Sequence, residues 1–140
     1  MNDTPGSIGY VALAFARVYR LKVATIGNKA GRFIPPTLDG ATAAASAVAN
    51  NMPADLRVSI VDSDGEDAYP ITSFSYMLVH EDADDPARGA AVAQFAWWAI
   101  RDGQSFGPAL HYAPLPPEVI ARAAAALRRI QSNGRPLFTD

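Results

Sequence analysis

The chain has 140 residues, of which 49% are hydrophobic and 19% are charged, and its formal net charge is −2. These proportions are typical of a globular protein with one modest core, and they give no general positive field for nucleic acid. The absence of cysteine excludes disulfides, thiolate chemistry and cysteine-based zinc sites.

Two kinds of membrane-related segment are missing from the sequence. The opening residues, MNDTPGSIG, lack a basic region followed by an apolar stretch, so they do not form a secretory signal peptide. If the chain is a complete gene product, it is therefore expected in the cytoplasm. Apolar runs such as residues 95–100 are far too short to cross a bilayer.

The N-terminal part alternates predicted strands and helices. Residues 8–11 are predicted as a strand, residues 12–20 as a helix and residues 21–27 as a second strand. A phosphate-cradling loop places its glycines between a strand and the following helix. Here Gly6 and Gly9 precede or interrupt the strand, so they indicate a turn and close packing instead.

A predicted hairpin and a helix come next. Gly31 forms the turn that leads into Phe33 and Ile34, and the two prolines that follow stop this strand. Thr37 is predicted as the N-cap of a helix. The apolar stripe of that helix is narrow and suits close packing: Leu38, Ala41, Ala45 and Val48.

Two strands are predicted in the middle of the chain, at residues 57–62 and 71–80. Apolar residues alternate in the first of them. The second strand has apolar residues on both faces, with Phe74, Tyr76 and Leu78 on one side and Ile71, Met77 and Val79 on the other. A strand of this kind is typical of the interior of a sheet, so we expect helices to cover both sides.

Two helices complete the predicted elements. Asp85 followed by proline predicts the start of the first helix, and Gly103 its end. Ala91, Phe95, Trp98 and Asp102 form a stripe along one face of this helix, for which core packing is favoured over a partner-facing or membrane-interface role. Trp97 points in a different direction from Trp98, so at least one tryptophan should pack inside.

The last helix is predicted to begin at the residues Pro-Pro-Glu, 116–118, and to be terminated by Asn133-Gly134. Its expected core residues are Ile120, Ala123, Leu127 and Ile130. Alternation of strands and helices along the whole chain predicts the α/β class.

The reactive groups do not indicate an enzyme. The sequence has two histidines, and alternation puts Ser75 and His80 on opposite faces of their strand, away from a triad with Asp82. The acidic runs at residues 62–67 and 81–85 lack the calcium-loop pattern and are interpreted as solvated turns. We therefore predict no catalytic residue, no metal site and no cofactor.

Several stretches resemble, in the same order, the periplasmic phosphate-binding proteins, which are the substrate-binding subunits of phosphate ABC transporters. The resemblance covers residues 4–138, and its most specific parts are the runs GEDAYP at 65–70 and YAPLP at 112–116. The full set of matching stretches is TPGSIGYV, NKAGRFIPP, DLRVSIVDSDGEDAYPITSFSYMLVHED, DPARGAAVAQFAWWAIRDGQSFGPALHYAPLPPEVI and NGRPLF.

The resemblance implies the C-terminal portion of a two-lobed, type II periplasmic-binding-protein fold, with a mixed sheet flanked by helices. Residues 1–68 would be the tail of the second lobe, and residues 69–140 would return to the first lobe. Glu66, Asp67, Tyr69 and Pro70 would lie at the hinge where the chain crosses between lobes.

The resemblance also implies that this chain lacks the phosphate ligands of the family. Those ligands come from an N-terminal glycine-containing loop, from the first lobe and from an Arg-Ser-x-x-Ser-Gly-Thr motif, none of which occurs here. Arg32, Arg57 and Arg101 remain only as generic cations. Inorganic phosphate is thus expected as a ligand only if the missing N-terminal part is supplied. The resemblance further implies a transporter permease as the partner and the periplasm as the location.

Two alternatives stay open. The chain could be a stand-alone interaction or self-assembling module that has lost ligand binding, or a small α/β enzyme, which the thin inventory of reactive groups disfavours. Whether the chain is a fragment of the family or a stand-alone module, the strand at 71–80 would lack neighbours. We therefore expect the chain to form a homodimer or larger assembly, or to require the missing N-terminal part.

Overall fold

The structure is a computed structural model that describes residues 4–139. In this range it has four α-helices: α1 (Leu13–Val18), α2 (Leu38–Val48), α3 (Pro86–Ile100) and α4 (Pro117–Leu127). Two antiparallel hairpins accompany them, one pairing β1 (Ile26–Gly27) with β2 (Phe33–Ile34) and the other pairing β3 (Gln131–Ser132) with β4 (Arg135–Pro136). Short 3-10 turns lie at Ala49–Asn51, Asp102–Phe106 and Pro108–Leu110.

The helices begin where the sequence predicts. The Thr37 hydroxyl accepts a hydrogen bond of 3.0 Å from the Gly40 amide at the start of α2. At the start of α3, the Asp85 carboxylate accepts hydrogen bonds of 2.9 and 3.2 Å from the Ala87 and Arg88 amides. These contacts satisfy donors that have no partner within the helix, so the predicted caps are confirmed.

The end of the last helix was predicted wrongly. Helix α4 stops at Leu127, six positions before Asn133. Asn133 and Gly134 instead have left-handed φ angles of 51° and 75° and form the two-residue turn between β3 and β4. Asn-Gly favours this hairpin turn because both central positions need positive φ. Similarly, α3 ends at Ile100, and Gly103 lies within the 3-10 turn that follows.

The predicted mixed sheet is absent from the part of the chain that the structure describes. Residues 8–11, 57–62 and 71–80 have no ladder partner, and the strand predicted at 21–27 is reduced to β1. The sheets present there are the two hairpins, supplemented by an isolated parallel bridge between Asp82 and Gln131. The prediction that the chain contains both helices and strands is thus confirmed. Alternation of apolar residues alone does not supply the neighbouring strand that a ladder needs.

The first hydrophobic cluster joins α2 to the start of α4. Its buried members are Ala45, Ala49, Met52, Ile60 and Val119, with Phe74 packed against them. This cluster combines side chains from both sides of the expected boundary between residues 68 and 69. The division into two lobes stays a prediction. Of the residues that it assigns to the lobes, 1–3 and 140 lie outside the described residues.

The second hydrophobic cluster joins α3 to the end of α4. Its buried members are Ala93, Ala96, Leu127, Ile130 and Phe138, with Val79 and Trp97 packed against them. The Trp97 and Phe138 ring centroids are 5.4 Å apart. The prediction that one tryptophan packs inside is therefore confirmed.

The buried face of α3 differs from the predicted one. Its buried residues are Gly89, Ala93 and Ala96, whereas Phe95 and Trp98 are exposed. A Cβ on Gly89 would lie 2.6 Å from the Ala83 Cβ atom, which is closer than atoms can pack. Small residues let α3 approach its neighbours closely. The close packing of this small-residue face outweighs the larger apolar area that burial of the aromatic side chains would remove from water.

Candidate functional site

Residues 65–70, hereafter the GEDAYP segment, pack against the β1–β2 hairpin on one side and against α2 on the other. The structure thereby brings together two of the stretches that carry the family resemblance, NKAGRFIPP and GEDAYP. Four residues of this segment were predicted at a hinge. Glu66 and Asp67 are exposed, Tyr69 is half-buried and Pro70 is buried.

Asn28 connects the hairpin to the GEDAYP segment. Its side-chain Nδ2 donates to the Glu66 carbonyl oxygen at 2.7 Å and lies 3.3 and 3.4 Å from those of Ala68 and Gly65. Its Oδ1 accepts a hydrogen bond of 3.0 Å from the Arg32 amide within the hairpin turn. The Asn28 residue is 8% exposed, so these bonds are largely shielded from water. Sequence reasoning did not single out Asn28, although an Asn three residues before a turn glycine was the available signal.

Ion pairs reinforce the same contact at the surface. The Arg32 Nη1 atom lies 2.7 Å from the Asp67 carboxylate and 3.8 Å from that of Glu66. Lys29 Nζ lies 3.2 Å from the Asp64 carboxylate. All five side chains are more than half exposed, so each pair contributes at most about 1 kcal/mol.

Helix α2 closes the other side of the segment. The Tyr69 amide donates to the Gly40 carbonyl oxygen at 3.0 Å. A Cβ on Gly40 would lie 3.2 Å from the Tyr69 Cβ atom, so the glycine permits this close approach. Burial raises the pKa of the Tyr69 phenol. The segment leaves α2 at Pro70, whose carbonyl oxygen accepts a hydrogen bond of 2.9 Å from the Asp62 amide.

The three arginines considered as generic cations all have partners. Arg32 pairs with Asp67, and Arg57 Nη2 lies 2.7 Å from the Asp55 carboxylate. The guanidinium of Arg57 holds the pKa of Asp55 below its usual value. The Arg101 guanidinium lies 4.8 Å from the centre of the Trp97 ring.

A surface recess beside Arg32 does not favour an anion. It lies at the start of α2, and the carboxylates of Asp39 and Asp67 line it together with Arg32. One positive and two negative groups give a local charge of −1, which opposes phosphate binding.

The second specific stretch, YAPLP at residues 112–116, is held by two polar side chains. The Gln104 Oε1 atom accepts a hydrogen bond of 2.7 Å from the Leu115 amide. The Thr42 hydroxyl in α2 donates to the Pro114 carbonyl oxygen at 3.1 Å. These contacts position the start of α4 against α2.

No cluster of three metal-ligating His, Asp or Glu side chains occurs among residues 4–139. The Asp82 carboxylate accepts a hydrogen bond of 3.2 Å from the Asn133 amide and so serves the β3–β4 turn. Within the same range, no helix is both long and apolar enough to cross a membrane.

Comparison with known proteins gives the family. No family model matches the chain. The chain is 34% identical over 125 residues to the phosphate-binding protein PstS of Xylella fastidiosa. This match covers 89% of this chain and 34% of that protein. It is 35% identical over 119 residues to the PstS of Pasteurella multocida, covering 85% of this chain and 35% of that protein. Identity to the PstS of Methanocaldococcus jannaschii is 33% over 115 residues, or 74% of this chain and 29% of that protein.

The chain spans about a third of the length of the curated relatives that it matches. Similarity in sequence nevertheless extends over most of its own residues in several of them. Over that portion of their length, the chain belongs to the family of the PstS phosphate-binding proteins.

Proposed function

We propose that the chain is the C-terminal part of a periplasmic phosphate-binding protein that serves phosphate uptake by an ABC transporter. The observation that carries this proposal is the identity of 34–35% to PstS proteins over 85–89% of the chain. Its role is then binding and delivery rather than catalysis, with a transporter permease as the partner.

We further propose that residues 1–68 belong to the second lobe and residues 69–140 to the first. The GEDAYP segment would be the hinge between them, with Glu66, Asp67, Tyr69 and Pro70 at the crossing. The resemblance of this segment to the family supports the assignment, and the contacts of Asn28 and Gly40 with its main-chain atoms define where the segment lies.

The phosphate ligands would come from the remaining part of the family's chain. The three arginines already have partners, and the recess beside Arg32 carries two carboxylates. The isolated chain should therefore bind phosphate weakly or not at all.

Isothermal titration calorimetry tests this proposal in two steps. The chain alone should give no binding heat with inorganic phosphate at micromolar concentration, and a micromolar dissociation constant would contradict the loss of ligands. A mixture with the polypeptide that makes up the unmatched part of the Xylella fastidiosa PstS should then bind phosphate and not sulfate. Failure of a well-formed mixture to bind phosphate would contradict the proposed function.

The second candidate is the self-assembling module without ligand binding, and the surface that it would have to cover is apolar. Ile8 and Tyr10 are 96% and 98% exposed, and Phe15 in α1 and Tyr19 just after it are also exposed. A homodimer or larger assembly would cover such surface. Light scattering on the chain alone tests this candidate, since a monomeric mass at micromolar concentration would exclude it.

A further inference from the structure

An apolar cavity of about 350 Å³ lies between α3, α4 and residues 71–80, hereafter the 71–80 segment. Phe74 of this segment packs against the first hydrophobic cluster, and Val79 packs against the second. Between them, the Tyr76 hydroxyl donates to the Val58 carbonyl oxygen at 3.0 Å. The wall that the segment contributes to the cavity is therefore held by side chains at both ends and in the middle.

The face of α4 toward the cavity explains why space is left there. Val119, Ala123 and Leu127 follow each other at intervals of four residues, so their side chains lie on one face of the helix. Val119 is buried in the first cluster and Leu127 in the second, whereas Ala123 between them lines the cavity. Ala126 and, from α3, Ala96 line it as well. A single methyl group between two large side chains leaves the middle of this face unfilled.

The charged residues that line the cavity already have partners. The Arg129 Nε atom lies 3.5 Å from the Glu81 carboxylate, and its Nη2 atom donates to the Ala54 carbonyl oxygen at 3.0 Å. The Asp55 carboxylate lies 2.7 Å from Arg57 Nη2. Because Arg129, Glu81 and Asp55 are exposed, they border the cavity at its mouth. A charged ligand would lose hydration inside the cavity without meeting an unpaired counter-ion.

The size and the lining of the cavity indicate the class of ligand. An apolar cavity of about 150 Å³ holds benzene, and pockets for small molecules in proteins begin at about 300 Å³. The rings of Phe74 and Tyr76, whose centroids are 6.0 Å apart, supply aromatic surface against which another ring can pack. We propose that the cavity is a binding site for an uncharged aromatic molecule of about two fused rings. This site goes beyond the proposed function and does not depend on it, since no phosphate contact is assigned to these residues.

Nuclear magnetic resonance spectroscopy of the full chain with naphthalene tests this proposal. The methyl signals of Ala96, Ala123 and Leu127 should shift in a saturable manner, whereas that of the exposed Ala125 should stay unchanged. The probe 2-naphthoate adds a carboxylate to the same rings and should bind at least about tenfold more weakly, because its charge must be desolvated. Equal binding of the two probes, or shifts confined to apolar residues outside the cavity such as Phe15, would overturn the proposal.

Substitutions on α4 provide a matched test. Ala123→Leu fills the cavity with apolar atoms, so this variant should keep or raise the thermal midpoint and bind naphthalene at least about tenfold more weakly. Ala125→Leu makes the same change at an exposed position outside the cavity and should bind like the unchanged chain. Ala126→Leu repeats the filling at a second lining position in case Ala123→Leu lowers the midpoint. Unchanged affinity in a folded filling variant would overturn the proposal, and the methyl shifts of the unchanged chain decide if both filling variants unfold.

Two further titrations separate this site from other uses of the same surface. If a second copy of the chain inserts into the cavity, the affinity for naphthalene will fall as the chain concentration rises, and this result would overturn the proposal. Inorganic phosphate should neither compete with naphthalene nor enhance its binding. Failure of the chain to serve phosphate binding would therefore leave this site standing, whereas competition by phosphate would contradict a site for uncharged ligands.

Discussion

The side-chain amide of Asn28 donates a hydrogen bond of 2.7 Å to the carbonyl oxygen of Glu66, 38 residues further along the chain. This contact ties the β1–β2 hairpin to the main chain of the GEDAYP segment. The Asn28 side chain is buried, and its contact with the Ala68 carbonyl oxygen is buried with it, so water has little access there as a substitute.

Replacing Asn28 by alanine should destabilise the fold by about 1–3 kcal/mol, since it removes a buried donor and leaves the buried Ala68 carbonyl oxygen without it. The midpoint of denaturant unfolding measures this change. Asn50→Ala is the matched control, because the Asn50 side chain is exposed and should cost less than about 0.5 kcal/mol. Similar midpoints for the two variants would show that Asn28 does not hold the segment.

The ion pair between Arg32 and Asp67 should contribute far less than Asn28. Asp67→Asn is expected to lower the free energy of unfolding by less than about 1 kcal/mol, because both side chains are more than half exposed. Repeating the measurement in 1 M salt, about ten times the ionic strength of usual buffers, should remove the difference. An effect as large as that of Asn28→Ala would contradict this ranking.

Gly89 should be intolerant of even one added methyl group. In Gly89→Ala the new Cβ would lie 2.6 Å from both the Ala83 Cβ and the Leu137 Cδ1 atoms. We expect a loss of about 1–3 kcal/mol from overpacking, in spite of the higher helix propensity of alanine. Gly27→Ala is the control, since its nearest atom would be at 3.9 Å. A stabilised Gly89→Ala protein would place α3 further from residue 83 than the structure does.

Phe74 should be the anchor of the 71–80 segment on the first cluster. Phe74→Ala is expected to cost about 2–3 kcal/mol, somewhat less than a fully buried phenylalanine, because the side chain is half-buried. Leu78→Ala, at a residue 93% exposed, should leave the thermal midpoint nearly unchanged in the isolated chain. Equal losses for the two variants would mean that Phe74 does not anchor this part of the chain in the first cluster.

The sequence by itself determined the features that depend on neighbouring residues. The caps at Thr37 and Asp85 bond to amides two or three positions away, so their chemistry can be read locally. The family resemblance was also visible in ordered short stretches, and the relatives confirm it. The hairpin turn at Asn133-Gly134 was equally local, but it was interpreted as a helix end because both structures favour a glycine with positive φ.

Only the tertiary structure decided which groups meet across long stretches of chain. The position of the GEDAYP segment depends on Asn28 and Gly40, which are 38 and 29 residues from their partners Glu66 and Tyr69. The buried face of α3 depends on how closely Ala83 and Leu137 approach Gly89, and hydrophobic periodicity carries no information about that distance. The 71–80 segment shows the same limit, because alternation fixes which side chains share a face, whereas a ladder also needs a second strand at hydrogen-bonding distance.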